Sequence, residues 1–323
     1  MMFRSQLSSP HSPTTAGAVV GMASNATMSK PAMHLFRTIT GNRNSPSSLA
    51  SARETIKRVT SGPVAMASLS EASLQSLSGA VGLEGTGRPF KTPLLYYLVI
   101  GALVTPIRSF TDVRFHGLGR IPSSGPAIIV CNHISIFDGI FKTQAVRRPV
   151  HYLSKKENFV NPFLRFVMTS TGQIKTSRQT GASDAMARAV DVLDAGIPIG
   201  IFPEGTRSRK TEPPYLQRGK TGAARLAARF PHVPIVPMVM IGTREMMIPE
   251  KKLIKPWKRV EVNIDEPITF AQWVADPEGG GLSDDDVATL MLLGEDERRD
   301  RMGALYRRFT DQLMETLRRM GAP

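Results

Sequence analysis

A single cysteine, Cys131, is the first limit on what this 323-residue chain can be. One thiol excludes an internal disulfide framework and any zinc site built on clustered cysteines. Aromatic residues are sparse at 7%, and no acidic residue occurs before Glu54. No apolar run reaches the ~20 residues that span a bilayer as a helix. Strand-to-helix turns carry no Gly-x-Ser-x-Gly elbow, no phosphate-loop lysine motif and no dinucleotide fingerprint. Hydrolase, nucleotidase and Rossmann readings therefore have no support.

What the chain does have is positive charge: a net +14, of which +5 falls in residues 1–90 and +9 in 91–323. A basic domain is drawn to nucleic acid, to an anionic bilayer or to a phosphorylated substrate, and charge alone does not choose among them. Residues 1–90 are rich in Ser, Ala, Thr, Pro and Gly and show no sustained hydrophobic period. They read as a mostly disordered tail, and their acid-poor, Ser-rich, Arg-bearing character fits an organelle-targeting segment, a solvated tail or translation from an upstream start codon, with Met22, Met28, Met33 and Met66 as alternative starts, equally well. Residues 91–323 form the expected folded domain. It opens with the run 94–107, LLYYLVIGALVTPI, which is too short to cross a membrane and reads as an interfacial docking segment with Tyr96 and Tyr97 as anchors, or as an ordinary buried helix packed on the domain.

Beyond that run, apolar stretches at 127–130, 150–153, 172–176, 197–202, 233–240 and 260–264 read as strands. Helical patterns at 135–146, 183–193 and 219–230 lie between them. Such alternation predicts an α/β fold, a mainly parallel sheet flanked by helices. Near the end, Ser283 before three Asp residues marks a helix start, and Met302, Leu305, Tyr306, Phe309, Leu313 and Leu317 form one apolar stripe that covers core.

Two segments carry chemistry. In Asn132-His133-Ile134-Ser135-Ile136-Phe137-Asp138 a histidine stands at a strand end and a carboxylate follows five residues later, in the next helix. An alcohol becomes a good nucleophile when a base takes its proton, and imidazole titrates near neutral pH. At the positive end of a helix His133 is expected to rest neutral, with Asp138 holding one ring nitrogen. The pair alone is a weak signal. The second segment, Phe202-Pro203-Glu204-Gly205-Thr206-Arg207-Ser208, also follows a buried strand, so both fall at the C-terminal strand edge where open α/β sheets bind ligands. Gly205 permits a tight turn, Glu204 can orient a neighbour or accept from a substrate, and Arg207 can grip a phosphate. Arg209, Lys210, Arg218 and Lys220 add positive charge nearby. Cys131, at the end of an apolar strand, reads as a small buried filler and His232 as solvent-facing.

Together, in this order, NHISIFD, FPEGTRS and the downstream VPIVPMV resemble the motifs of the glycerolipid acyltransferase family, which includes lysophosphatidic acid acyltransferases. The resemblance covers roughly residues 91–319. It implies a domain docked on the membrane surface at its cytoplasmic face, an acyl-CoA or acyl-carrier protein donor as cosubstrate, and no metal or other cofactor. Position by position, it implies that His133 and Asp138 are the catalytic dyad and that Glu204, Gly205, Thr206 and Arg207 bind the acceptor phosphate. Val236 and Pro237 fall in the strand near the acyl pocket, whose wall is expected to include Phe137, Ile140 and Val236. The family's Gly-x-Ile-x-Ile-Asp-Arg motif is matched at Gly172, Ile174 and Arg178 but not at Thr176 and Ser177. Lys155 resembles a family lysine with a possible phosphate role.

The expected reaction is acylation of the sn-2 hydroxyl of lysophosphatidic acid to give phosphatidic acid, a step of phospholipid biosynthesis. Another lysophospholipid or glycerol 3-phosphate is the alternative acceptor, and a non-catalytic basic membrane-binding protein is the alternative class. No nucleic-acid partner is expected, because the basic clusters have few aromatics to stack on bases and no recognised reader motif.

Overall fold

The computed structural model describes residues 68–176, 181–247 and 254–323. Seven strands form one sheet in the order β1-β7-β6-β2-β5-β3-β4. They are β1 (Val113–His116), β2 (Ile128–Cys131), β3 (His151–Lys155), β4 (Ile174–Thr176), β5 (Ile199–Ile201), β6 (Ile235–Ile241) and β7 (Val260–Ile264). The five strands from β6 to β4 run parallel, with Ile128 of β2 opposite both Ile199 of β5 and Ile235 of β6. Only β7 pairs antiparallel, against β6, and β1 joins β7 in parallel. The expected mainly parallel α/β sheet is thus present, with a reversed edge that the apolar runs did not disclose.

Helices cover both faces, as parallel connections require. Those in the described residues are α1 (Glu71–Ala80), α2 (Tyr96–Phe110), α3 (Asp138–Val146), α4 (Pro162–Ser170), α5 (Gly181–Asp194) and α6 (Gly222–Arg229). They continue with the single turn α7 (Thr243–Met246), then α8 (Phe270–Ala275), α9 (Asp284–Leu292) and α10 (Glu295–Arg319). Strand side chains alternate between the faces. Ile128 and Val130 of β2 join a large core with α1, α5, α6 and α8 to α10, whereas Ile129 and Cys131 join a smaller one with α3. In α10, Met302, Tyr306, Phe309, Leu313 and Leu317 are buried as the stripe predicts, and Ser283 caps α9 in a reciprocal box with Asp286.

One feature corrects the sequence reading, and a second bears it out. Residues 71–80 are not a structureless tail: Ser70 caps α1, and Leu74 and Leu77 are buried. Ser70 also donates to Asp284 at 2.9 Å through both its N–H and its hydroxyl, and Glu71 meets the exposed His232 at 2.9 Å. Two leucines in a Ser/Ala-rich stretch are too weak a pattern to reveal a helix whose stability comes from tertiary packing. The remainder of the tail, residues 1–67, lies outside the described residues. The apolar run at 94–107 becomes α2, a 15-residue helix with Pro106 inside it. At 1.5 Å per residue it is about 22 Å long, against a hydrocarbon core of ~30 Å. Among the described residues no helix is long and apolar enough to cross a membrane.

One side of α2 packs inward, with the Tyr96 hydroxyl donating to Val150 O and accepting from Val150 N. The other side is apolar and uncovered: Leu98 is 69% exposed, Tyr97 and Phe110 are exposed as well, and Leu94, just before the helix, is 97% exposed. Helix α4 packs alongside α2. It has no buried residue and adds exposed Phe163 and Phe166, with Val160 just before it.

Candidate active site

Parallel pairing of β2 with β5, β6 and β3 with β5 sets the C-terminal ends of four strands side by side. The loop after β2 brings His133, the loop after β5 brings Glu204 to Ser208, the end of β6 leads into Thr243, and β3 ends at Lys155. Asn132 locks this edge, accepting from Met240 N at 2.8 Å and donating to Met240 O at 3.0 Å. Two further main-chain ties join the motif loops: His133 N donates to Glu204 Oε1 at 2.7 Å, and Ser208 N donates to His133 O at 2.9 Å.

Asp138, the first residue of α3, is completely buried. Its Oδ2 accepts from Ile134 N at 2.7 Å and Ser135 N at 2.8 Å and stands 2.9 Å from His133 Nδ1. Its Oδ1 accepts from the Thr243 hydroxyl at 2.7 Å. A carboxylate so placed requires the imidazole proton on Nδ1, which leaves the Nε2 lone pair as the basic position. The His133 side chain keeps 20% of its surface exposed, and its ring stacks on Phe202 with centroids 4.0 Å apart. Burial holds the ring below the ordinary imidazole value; Asp138 pulls upward, and the charges of Lys142 and Arg207 push further down. Burial therefore leads the effect that sequence reasoning assigned to a helix end.

Glu204 turns inward. Its Oε1 is taken by His133 N, and its Oε2 accepts from Gln217 N at 3.0 Å and from the Gln217 side chain at 3.4 Å. Burial pushes its carboxyl up to about 7 against these donors. Both oxygens are engaged by the protein, so Glu204 ties the main chain of His133 to Gln217. Gly205 sits at φ 68°, and a Cβ there would lie 2.8 Å from Lys220 Nζ, so the turn both needs glycine and brings Lys220 to the motif. Thr206 accepts from Lys155 Nζ at 2.7 Å, which joins two of the expected phosphate residues directly. Arg178 lies outside the described residues. Val236 is fully buried in the core that contains Phe137, with Ile140 packed against it. Cys131 is buried too, and burial pushes its thiol far up, as expected of a filler.

Thr243, Gln217 and Lys142 were not visible as site residues. Thr243 is 105 residues from its partner Asp138, and no local pattern encodes such a contact. Among the described residues, no group of three or more His, Cys, Asp or Glu side chains gathers as a metal site would require.

Residues 112–241 match the family model described as acyltransferase. The chain is 32% identical over 165 residues to the chloroplastic 1-acyl-sn-glycerol-3-phosphate acyltransferase LPAT1 of Arabidopsis thaliana, covering 50% of this chain and 45% of that protein. It is 32% identical over 139 residues to a 1-acyl-sn-glycerol-3-phosphate acyltransferase of Helicobacter pylori, covering 42% and 56%. The chain thus spans about half the length of these curated relatives. A crystal structure of the 1-acyl-sn-glycerophosphate (LPA) acyltransferase from Thermotoga maritima aligns over 88% of both chains, at 16% identity and a TM-score of 0.44.

Proposed function

Because residues 112–241 belong to the acyltransferase family, we propose that this chain moves a fatty acyl group from acyl-CoA or acyl-carrier protein to the sn-2 hydroxyl of lysophosphatidic acid. The observation that carries the reading is the His133–Asp138 pair at 2.9 Å, fixed beside the Glu204–Arg207 turn. His133 Nε2 takes the hydroxyl proton while the hydroxyl oxygen attacks the thioester carbonyl carbon. Asp138 stabilises the imidazolium that forms. When the tetrahedral intermediate collapses, the C–S bond breaks and the imidazolium returns its proton to the leaving sulfur. The products are phosphatidic acid and free thiol.

Arg207 supplies the charge for the acceptor phosphate. Lys155 and Thr206 shape the same turn, Lys220 lies against Gly205, and Arg178 completes the set that the motif implies. The exposed apolar residues of α2 and α4 dock the domain on the membrane surface. Ile136, 47% exposed within the same loop as His133, continues that apolar character to the base. The relatives include chloroplastic enzymes, and with the composition of residues 1–67 this favours an organelle address for the chain.

The test is acyl transfer to lysophosphatidic acid in phospholipid vesicles by the full chain and by His133→Ala, with acyl-CoA and acyl-carrier protein donors in parallel. Wild type should form phosphatidic acid, and the variant should lose about 10³-fold or more in rate while keeping its thermal unfolding transition. Turnover that survives the substitution would remove His133 as the base. Product only with another lysophospholipid or glycerol 3-phosphate would change the acceptor.

A further inference from the structure

Among the described residues, the mechanism leaves one completely buried charged side chain unused. Lys142 lies one helical turn after Asp138 on α3, on the same face as the carboxylate, and is completely buried. Its Nζ points to two main-chain carbonyls, Ile129 O at 3.5 Å and Ile201 O at 3.3 Å, and sits 3.7 Å from the centroid of the Phe202 ring. His133 stacks on that same ring at 4.0 Å. The ammonium and the imidazole thus lie within about 4 Å of the centroid of the same ring, which links the two groups.

A lysine at this place is costly. Taking an ammonium out of water is unfavourable unless it is paired and fully hydrogen-bonded, and two long carbonyl contacts and a π face are modest compensation. Methionine or leucine would fill the same volume without that cost. The charge therefore points to a use, and the proposed base stacks on the same ring.

We propose that Lys142 is a positioning residue for proton transfer: its ammonium, held against the Phe202 ring on which His133 stacks, opposes a positive charge on His133 and keeps the resting imidazole neutral. The proposal rests on His133 acting as the base. The charged and titratable groups around the ring divide by sign. Asp138 of α3 favours the imidazolium, Arg207 of the loop after β5 opposes it, and Glu204 meets only the backbone N–H. From β2, β3 and α7 come Cys131, Tyr152 and Thr243, which supply a thiol, a phenol and a hydroxyl. Lys142 is thus the buried cation among them. Burial lowers its own value to about 8, so its ammonium is charged across the range in which an imidazole titrates and is lost only above it.

The test compares wild type with Lys142→Met and Lys142→Gln in the full chain. One readout is the pH dependence of kcat/KM for acyl transfer, and the other is the titration of the His133 ring followed by NMR, which needs no turnover. Removing a nearby cation makes the imidazolium more stable. Both variants should therefore move the acid limb of the profile, and the ring titration, upward by about one pH unit. Glutamine keeps a hydrogen-bond donor for the carbonyls but no charge, so its shift should equal that of methionine. An unmoved ring titration in both variants would overturn the proposal, as would a Gln variant that behaves like wild type while Met does not, since donor geometry would then matter and charge would not. A ring titration that moves in a protein with no transferase activity would uphold the electrostatic link and reject the acyl-transfer reading instead.

Discussion

At the ends of β2 and β5 charged side chains are buried, whereas on α2 and α4 apolar side chains are exposed. Both regions invert the usual distribution, in opposite directions and for different physical reasons. The strand-end region solves its problem internally: Asp138 has two main-chain N–H donors, a hydroxyl and an imidazole, and Glu204 has His133 N and both nitrogens of Gln217. The helical surface has no such internal solution, because Leu94, Leu98 and Phe163 have nothing of this domain to pack on. A buried charge that is fully bonded is a finished site. An exposed apolar face is half of an interface.

Three variants separate these cases. The largest effect belongs to Asp138→Asn, which places an amide N–H₂ or an uncharged oxygen where the structure has four donors. Transfer should fall by about 10³ to 10⁴-fold, as for loss of the orienting carboxylate in a catalytic triad, measured as kcat with saturating donor. A loss under tenfold would show that the burial at this edge serves folding more than chemistry.

Glu204→Gln tests the second buried carboxylate through stability. Burial raises its folded-state value from 4.5 to about 7, so between these values the folded state binds more protons than the unfolded one and wild-type stability falls as pH rises. The decline is at most about 3 kcal/mol. His133, held low by burial, contributes the opposite slope below its ordinary value, equally in both proteins, so the difference isolates Glu204. Chemical denaturation at pH 5 and 7.5 should show the Glu204 decline missing in the glutamine variant; equal pH dependence would mean that the N–H donors outweigh burial.

The smallest effect is expected at the helical surface. Leu98→Glu combined with Phe163→Glu should reduce association with anionic phospholipid vesicles on the order of tenfold. Unfolding free energy should stay within about 0.5 kcal/mol, because both sites are exposed. A large loss of stability with unchanged vesicle binding would reverse the assignment and make this face part of the folding core.

The sequence discloses these regions unequally. His133, Asp138 and the Glu204–Arg207 turn were legible because each follows an apolar strand, and β2, β5, β6 and β7 are legible as short runs of Ile and Val. β1, with the sequence VRFH, alternates with charged residues and offers only four positions, too few to distinguish from a loop. Lys142 was hidden for the opposite reason: a lysine in a helix reads as a surface residue, and only the third dimension puts it beneath Phe202. Gln217 and Thr243 orient charged groups from other elements, so their contribution depends on sheet order and not on spacing. Apolar periodicity records which way a segment faces, but it does not record what waits on the other side.

Helix α1 bears on how the chain can be trimmed. Ser70 and Glu71 are fastened to Asp284 and His232, and Ser78 donates to Arg229 O at 2.7 Å. Any truncation that keeps this body intact must therefore begin ahead of Ser70. A cut inside the helix would strip Leu74 and Leu77 from the hydrophobic core and leave a polypeptide prone to aggregation, so a mature protein beginning near residue 90 would not keep the same body.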